Sequence, residues 1–244
     1  DFECSAHAWC PGVMTDAGPP PPPPVDAGPP RDGGDPCSEP MDVVFVIDVS
    51  TSMTDEIDSI RRGIDSVWTA SLGLTDNSQF SLVVFVDDVA TVNGCAPFAS
   101  VAAMQTELMR WQTFAASNDQ PGGAPVSNSD CPENSLDALH AAATMCPWRT
   151  GSYRILIHVT DDTFEERPFR LSSDFTGGGG VPVQNTYAET VAALVGNQVR
   201  VGAFAAPGAG EECGAGTNLD VGRGFHDSFL GMESIPLATG GHVW

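Results

Sequence analysis

The apolar run Val43-Val44-Phe45-Val46-Ile47 stops abruptly at Asp48. A short, continuous apolar stretch closed by a polar residue predicts a strand over 43–48 that is buried on both faces. Beyond a polar interval, Ile57, Ile60, Ile64, Val67, Trp68 and Leu72 recur at three- and four-residue spacing, which predicts a helix over 55–72. Residues 80–86 repeat the buried-strand pattern. Val101, Met104, Leu108, Trp111 and Phe114 then mark a second helix, and Leu136, Leu139, Ala143 and Met145 a third. Trp68 and Trp111 fall on the apolar faces of their helices and are expected in the core. A strand over 155–159, a helix over 187–194 and a strand over 199–204 follow. Residues 225–238 read as helical at first, with Pro236 ending or interrupting the helix, and residues 242–244 begin a last strand. Strands alternating with helices imply an α/β fold: a three-layer, doubly wound, Rossmann-like and mainly parallel sheet with helices on both faces.

The first 40 residues break this pattern. Six consecutive prolines at 19–24 are flanked by two copies of Asp-Ala-Gly-Pro-Pro, at 16–20 and 26–30. Proline fixes φ and has no N–H to donate, so the stretch predicts an extended polyproline II spacer rising about 3.1 Å per residue. The alternative is a docking peptide for an aromatic groove. The chain therefore divides into a Cys-containing N-terminal segment with a Pro-rich spacer, 1–40, and a folded domain, 41–244. The spacer would hold a small N-terminal piece, a neighbouring subunit or a surface anchor away from the domain.

Charge narrows the partners. The 244 residues carry a net charge of −22, and all ten basic residues are Arg. Phosphate recognition needs basic patches, so nucleic acid is excluded as an expected partner, and an anionic membrane surface with it. No apolar run reaches the roughly 18 residues that would span a bilayer, so no transmembrane segment is expected. Seven cysteines (4, 10, 37, 95, 131, 146 and 213) show no zinc spacing and read as disulfides of an oxidising compartment, with one left over. Cys4 with Cys10 is the nearest local pairing, and Cys131 reads as a loop staple to Cys95 or Cys146. The location is expected to be extracellular or at the cell surface, where divalent cations offset part of the charge.

The chemistry sits where strands end. Asp48-Val-Ser50-Thr-Ser52 follows the first strand and is itself followed by Asp55 and Glu56. Asn128-Ser-Asp130-Cys-Pro132-Glu133 precedes the third helix, and Thr160-Asp161-Asp162 closes the strand over 155–159. Ligands of open α/β sheets bind beyond the carboxyl ends of the strands. The strands beginning at 43 and 155 are expected to be neighbours, which would converge Asp48 and Asp161 on one rim within reach of the Glu133 loop. Oxygen-only donors suit Mg2+, Ca2+ or Mn2+ rather than zinc or copper. Each segment also has an ordinary reading: Ser50 as a helix cap, Glu133 as a first-turn acid, Asp161 and Asp162 as a polar strand exit. Their placement on one rim favours the metal reading. The five histidines form no pair at helical spacing; His158, in a buried strand, reads as a hydrogen-bonded core residue. No nucleophile–base relay is legible and no general base or Arg clamp accompanies the acids, so a metal-dependent hydrolase is disfavoured and the chain is expected not to be an enzyme. The Gly177–Gly180 run lacks the Lys-Ser/Thr of a phosphate loop.

Asp-x-Ser-x-Ser after a buried strand resembles the metal-ion-dependent adhesion site (MIDAS) of von Willebrand factor A domains. The finer resemblance is to the I-like domain of integrin beta subunits, and a bacterial, secreted relative fits best. It rests on Asp48 through Ile57, on Phe85-Val86-Asp87, on Asn128-x-Asp130-x-Pro132-Glu133 followed by Asp137-Ala138, and on Thr160-Asp161-Asp162-x-Phe164. The resemblance implies three adjacent ions. A central Mg2+ (or Mn2+) site would use Asp48, Ser50, Ser52, Glu133 and Asp161. An adjacent Ca2+ site would use Asp55, Glu56 and the Ser52 carbonyl, with Glu56 where the family usually has Asp. A third Ca2+ site would use Asp87, Asn128, the carbonyls of Asp130 and Pro132, and Glu133. The function implied is cell adhesion: a protein ligand presenting an Asp or Glu completes the central shell. The alternative is a structural subunit of an extracellular fibre or surface assembly, in which the ions only stabilise the fold. The family continues past the position of Trp244 into a last loop and helix, so affinity switching through that helix is not expected within these residues.

Overall fold

A computed structural model describes residues 39–123, 128, 131–171, 180–205, 209–213 and 217–244. The Pro-rich segment, the Cys4–Cys10 pairing, Asp130 and most of the Gly177–Gly180 run lie outside the described residues. Two strand–helix repeats open the fold: β1 (Met41–Asp48), a 3-10 turn at Thr51–Met53 and α1 (Thr54–Leu74), then β2 (Ser78–Phe85), β3 (Val89–Thr91) and α2 (Val101–Ala115). They are followed by α3 (Ser135–Met145), β4 (Tyr153–Thr160), the short strands β5 (Arg170–Leu171) and β6 (Val181–Pro182), and α4 (Tyr187–Gly196). Last come β7 (Val199–Ala205), β8 (Ala209–Cys213), β9 (Thr217–Asp220), α5 (Ile235–Ala238) and β10 (His242–Val243).

The main sheet has the order β10-β7-β4-β1-β2-β3, parallel except for β3, which runs antiparallel at one edge. β1 and β4 are neighbours, in the register Ile47 opposite Val159, so the adjacency expected of the first and third strands is present. Every residue of β1 is buried. Alternation along it splits the core in two. Val44 and Val46 join Val83, Phe85, Leu156 and Val201 against α3 and α4. Val43, Phe45 and Ile47 join Phe80, Leu82 and Val84 against α1 and α2. The result is the three-layer α/β/α architecture.

Local signals place the helices. Thr186 and Glu189 form a reciprocal capping box at the start of α4, and the Ser100 side chain caps α2. Four expectations are corrected. The stretch 225–238 is helical only at Ile235–Ala238, and Pro236 sits in the first turn, where its missing N–H costs nothing, rather than ending a helix. Val67, Leu72 and Met145 lie on exposed turns of their helices. Cys95 pairs with Cys146. Cys131 is also disulfide-bonded, to neither of these, so it is a loop staple with a different partner.

His158 lies in the core as expected, and the fourth correction concerns only its hydrogen bonding. It is fully buried in β4, stacked on Phe85 and close against Phe225, and neither ring nitrogen makes a hydrogen bond of normal geometry. Burial pushes its pKa down to about 3, against a weaker opposing pull from the Val46 backbone. The unfolded chain therefore binds a proton below its ordinary value of 6.5 that the folded chain refuses, and the His158 contribution to stability falls as pH falls from 6.5 toward 3. At pH 5 this amounts to about 2 kcal/mol. His158→Phe is expected to remove that acid-side loss, read from urea midpoints between pH 8 and pH 5; an unchanged pH slope would show that the residue does not titrate on unfolding.

Candidate metal centre

The site is built where β1 and β4 stop. Asp48 ends β1 fully buried. Its Oδ1 accepts the Ser50 N–H at 2.8 Å, and its Oδ2 accepts the Thr160 hydroxyl at 2.7 Å. The first bond turns the chain out of the strand and the second ties the ends of β1 and β4 together. Ser50 is buried, and its hydroxyl lies 3.1 Å from that of Ser52. The exposed Ser52 donates to Asp161 Oδ1 at 3.1 Å. An oxygen chain therefore runs from Asp48 and Ser50 through Ser52 to Asp161.

Glu133 lies across this rim. Its backbone N–H donates to Thr163 O at 2.8 Å, beyond β4, and the next N–H, of Asn134, donates to Val86 O at 2.8 Å, beyond β2. Because β1 lies between β2 and β4, the 133–134 segment spans the end of β1, and the Glu133 side chain is fully buried there. The loop after β4 is braced from outside by Arg223. Its guanidinium donates to Thr163 Oγ1 at 3.0 Å, to Phe164 O and to Glu165 Oε1 at 3.0 Å, and lies 5.3 Å from the centre of the Phe164 ring.

The electrostatics follow from this crowding. Burial, then the neighbouring Asp161 carboxylate, push the Asp48 pKa up to about 7, while hydrogen bonds from Ser50 and Thr160 pull the other way. Among the described residues, no three His, Cys, Asp or Glu side chains by themselves form a group that could hold a metal ion. The central set instead interleaves carboxylates with hydroxyls, an all-oxygen donor set of the kind that can hold a divalent cation. These residues fit such an ion.

The flanking sets differ. Asp55 and Glu56 are exposed acids in the first turn of α1, three and four residues past Ser52, where the helix dipole also favours them. Asp87 and Asn128 are both buried, but each is engaged elsewhere: Asp87 by Gln120, and Asn128 by Thr51. Pro132 is half-buried next to Glu133. Asp137 is structural here. Its carboxylate accepts the N–H groups of Gln184 and Asn185 and the Asn134 amide, joining α3 to the chain entering α4. Sequence reasoning treated Thr160 as part of a strand end and did not mark Thr51, Gln120 or Arg223. Only Thr160, flanked by the acids of the strand exit, carried a readable signal.

A doubly wound sheet whose central strand ends in Asp-x-Ser-x-Ser, faced by an Asp from the neighbouring strand, defines a von Willebrand factor A-like domain. The sequence model described as "Integrin beta-like protein A-E, vWA-like" matches residues 37–176, and the chain belongs to that family. A search of the curated proteins finds no match. Among solved structures, proximal thread matrix protein 1 from the mussel byssus, in a form with a zinc-occupied MIDAS motif, is 16% identical with a TM-score of 0.45; the match covers 69% of this chain and 36% of that one. The chain thus spans about a third of that protein's length. The conserved hypothetical protein BatB from Bacteroides thetaiotaomicron is 16% identical, with a TM-score of 0.46 over 83% of this chain and 88% of that one. An aerotolerance-related membrane protein from Bacteroides fragilis NCTC 9343 is 14% identical, with a TM-score of 0.47 over 83% and 90%. No helix among the described residues is long and apolar enough to cross a membrane.

Proposed function

We propose that residues 41–244 form a cation-dependent protein-binding module, not an enzyme, that works outside the cell or at its surface, with residues 1–40 as its spacer. The observation that carries this reading is the burial of the Asp48 carboxylate beside Asp161, joined through the Ser50 and Ser52 hydroxyls. Two like charges at a buried rim are costly without a cation. Asp48, Ser50, Ser52, Glu133 and Asp161 would hold Mg2+ or Mn2+, and Asp55, Glu56 and the Ser52 carbonyl would hold Ca2+. The bound cation supplies a Lewis-acidic position for a carboxylate. The protein's own part is to fix the donors: Thr160 orients Asp48, Arg223 braces the loop carrying Asp161, and the 133–134 segment stays pinned between β2 and β4. A partner protein presenting an Asp or Glu would complete the shell.

Mn2+ and a short Asp-containing peptide test this through water-proton relaxation. The chain is expected to bind Mn2+, to lose the signal in EDTA, and to show fewer exchanging waters when peptide is added. Equal Mn2+ binding by Asp48→Ala would overturn the reading. Full binding with no peptide effect would move it toward a purely structural ion.

A further inference from the structure

The Asp87 side of the cluster is held by neutral donors, and we infer that this chain carries no third cation there: the turn after α2 takes its place. Asp87 is 1% exposed. Its backbone N–H donates to Gln120 Oε1 at 3.0 Å, while Gln120 Nε2 donates back to Asp87 Oδ2 at 3.3 Å. Gln120 is itself 1% exposed, so this two-point clasp is a built feature and not a surface encounter. Two residues on, Gly122 N–H donates to Asp88 Oδ2 at 2.6 Å. Asn134 Nδ2 donates to the Asp87 carbonyl at 2.8 Å. Gln120 and Asn134 thus hold Asp87 at its nitrogen, its carboxylate and its carbonyl.

Asn128, a second side chain expected in that site beside Glu133, is turned to a different task. Its Oδ1 accepts the Thr51 hydroxyl at 2.5 Å, and its backbone N–H donates to Asn118 Oδ1 at 3.2 Å. A second backbone bond, from Thr51 N to Asn128 O at 3.3 Å, adds to the link. Asn128 therefore supports the loop carrying Ser50 and Ser52. A cation is held by lone pairs directed at it, and an N–H or O–H aimed at the same oxygen competes for that position. The Gln120 amide offsets part of the Asp87 charge without dehydrating an ion. Asp87 and Asn128, engaged in this way, do not fit a third Ca2+.

The inference refines the proposed function by fixing the number of ions, and it is tested separately from it. Ions per chain are counted by equilibrium dialysis of the disulfide-intact chain against Ca2+ and Mn2+, followed by elemental analysis. Asp87→Asn is expected to hold as many ions as the wild type, with affinity changed less than twofold; a loss of one ion per chain overturns the inference. Gln120→Glu serves if that variant folds poorly. A second carboxylate against Asp87 creates the charge that a cation would answer, so Gln120→Glu chains should gain one Ca2+ and a Ca2+-dependent rise in melting temperature beyond that of the wild type. No such gain would also overturn the inference. Asp48→Asn in the same assay reports on the central ion alone: an unchanged count there sinks the proposed function and leaves the Asp87 conclusion standing.

Discussion

In EDTA at pH 7.5, Asp48→Asn is expected to stabilise the protein by about 3–4 kcal/mol, while its affinity for Mg2+ or Mn2+ at the central site falls at least 100-fold. The sign comes from the raised pKa. The folded chain holds a proton on Asp48 up to about 7, whereas the unfolded chain releases it near 3.8. A carboxyl group raised in this way contributes stability below 3.8, and that contribution is lost as pH rises through 7. At 1.36 kcal/mol per pH unit, the interval is worth about 4 kcal/mol above pH 7. Asparagine keeps an acceptor for the Ser50 N–H, and the Thr160 hydroxyl can turn to accept from its amide. The buried charge disappears with little loss of hydrogen bonding. Guanidinium unfolding with and without Mg2+ measures both halves. The wild type should gain stability with Mg2+, and the variant should be more stable in EDTA but indifferent to the ion. If the variant is less stable than the wild type in EDTA, the carboxylate is not strained and needs no cation to offset it.

The pH profile of the metal-free protein follows from two buried groups that act in opposite directions. Below pH 7 Asp48 regains its proton and stabilises the fold, while below 6.5 the neutral His158 becomes a liability. The slopes nearly cancel between pH 6.5 and 5. Asp48→Asn should therefore expose a stability that falls on acidification, and His158→Phe one that rises. Bound metal removes the Asp48 contribution by holding it ionised, so the stabilisation conferred by Mg2+ grows as pH rises from 5 to 8.

How much of this was legible depended on the range of the forces involved. The strand–helix alternation follows from near-neighbour periodicity, and a doubly wound parallel sheet makes β1 and β4 neighbours, so the convergence of Asp48 with Asp161 was legible in the sequence. The chain 225–238 could not. Phe225 and Phe229 are set by contacts with Phe164, and Phe229 also by Tyr187, which overrode a weak helical spacing. The antiparallel edge strand β3, three residues long, is too short to have a period. Gln120 gave no signal because its meaning depends on Asp87, 33 positions away. Val67 and Leu72 had the correct helical spacing, but the sheet covers only part of the α1 surface, so they extend past the buried stripe.

At the opposite end of the sheet from the metal rim, Arg149→Ala is expected to cost about 3 kcal/mol with metal affinity unchanged. Asp42 is 6% exposed near the start of β1. Arg149 donates to it from Nε at 2.6 Å and from its backbone N–H at 2.8 Å, and Ser152 adds a hydroxyl at 2.7 Å. The same guanidinium reaches Asn77 Oδ1 at 2.5 Å and the carbonyls of Met41 and Asn77 at 2.9 Å each. One side chain thus ties the starts of β1 and β2 to the loop that enters β4. Breaking a buried pair by removing one partner costs about 3–5 kcal/mol, because the remaining charge stays buried. The lower end applies here: Asp42 keeps the Arg149 N–H and Ser152, and the Arg149 side chain is 23% exposed. Lysine should not rescue, since a point charge cannot serve the fork of acceptors. Asp42→Asn with Arg149→Met should recover much of the loss by removing both charges together. Urea midpoints for the single variants and the double variant measure this coupling. A double variant as unstable as the sum of the singles would show that Arg149 acts through the Asn77 and Met41 carbonyls and not through Asp42.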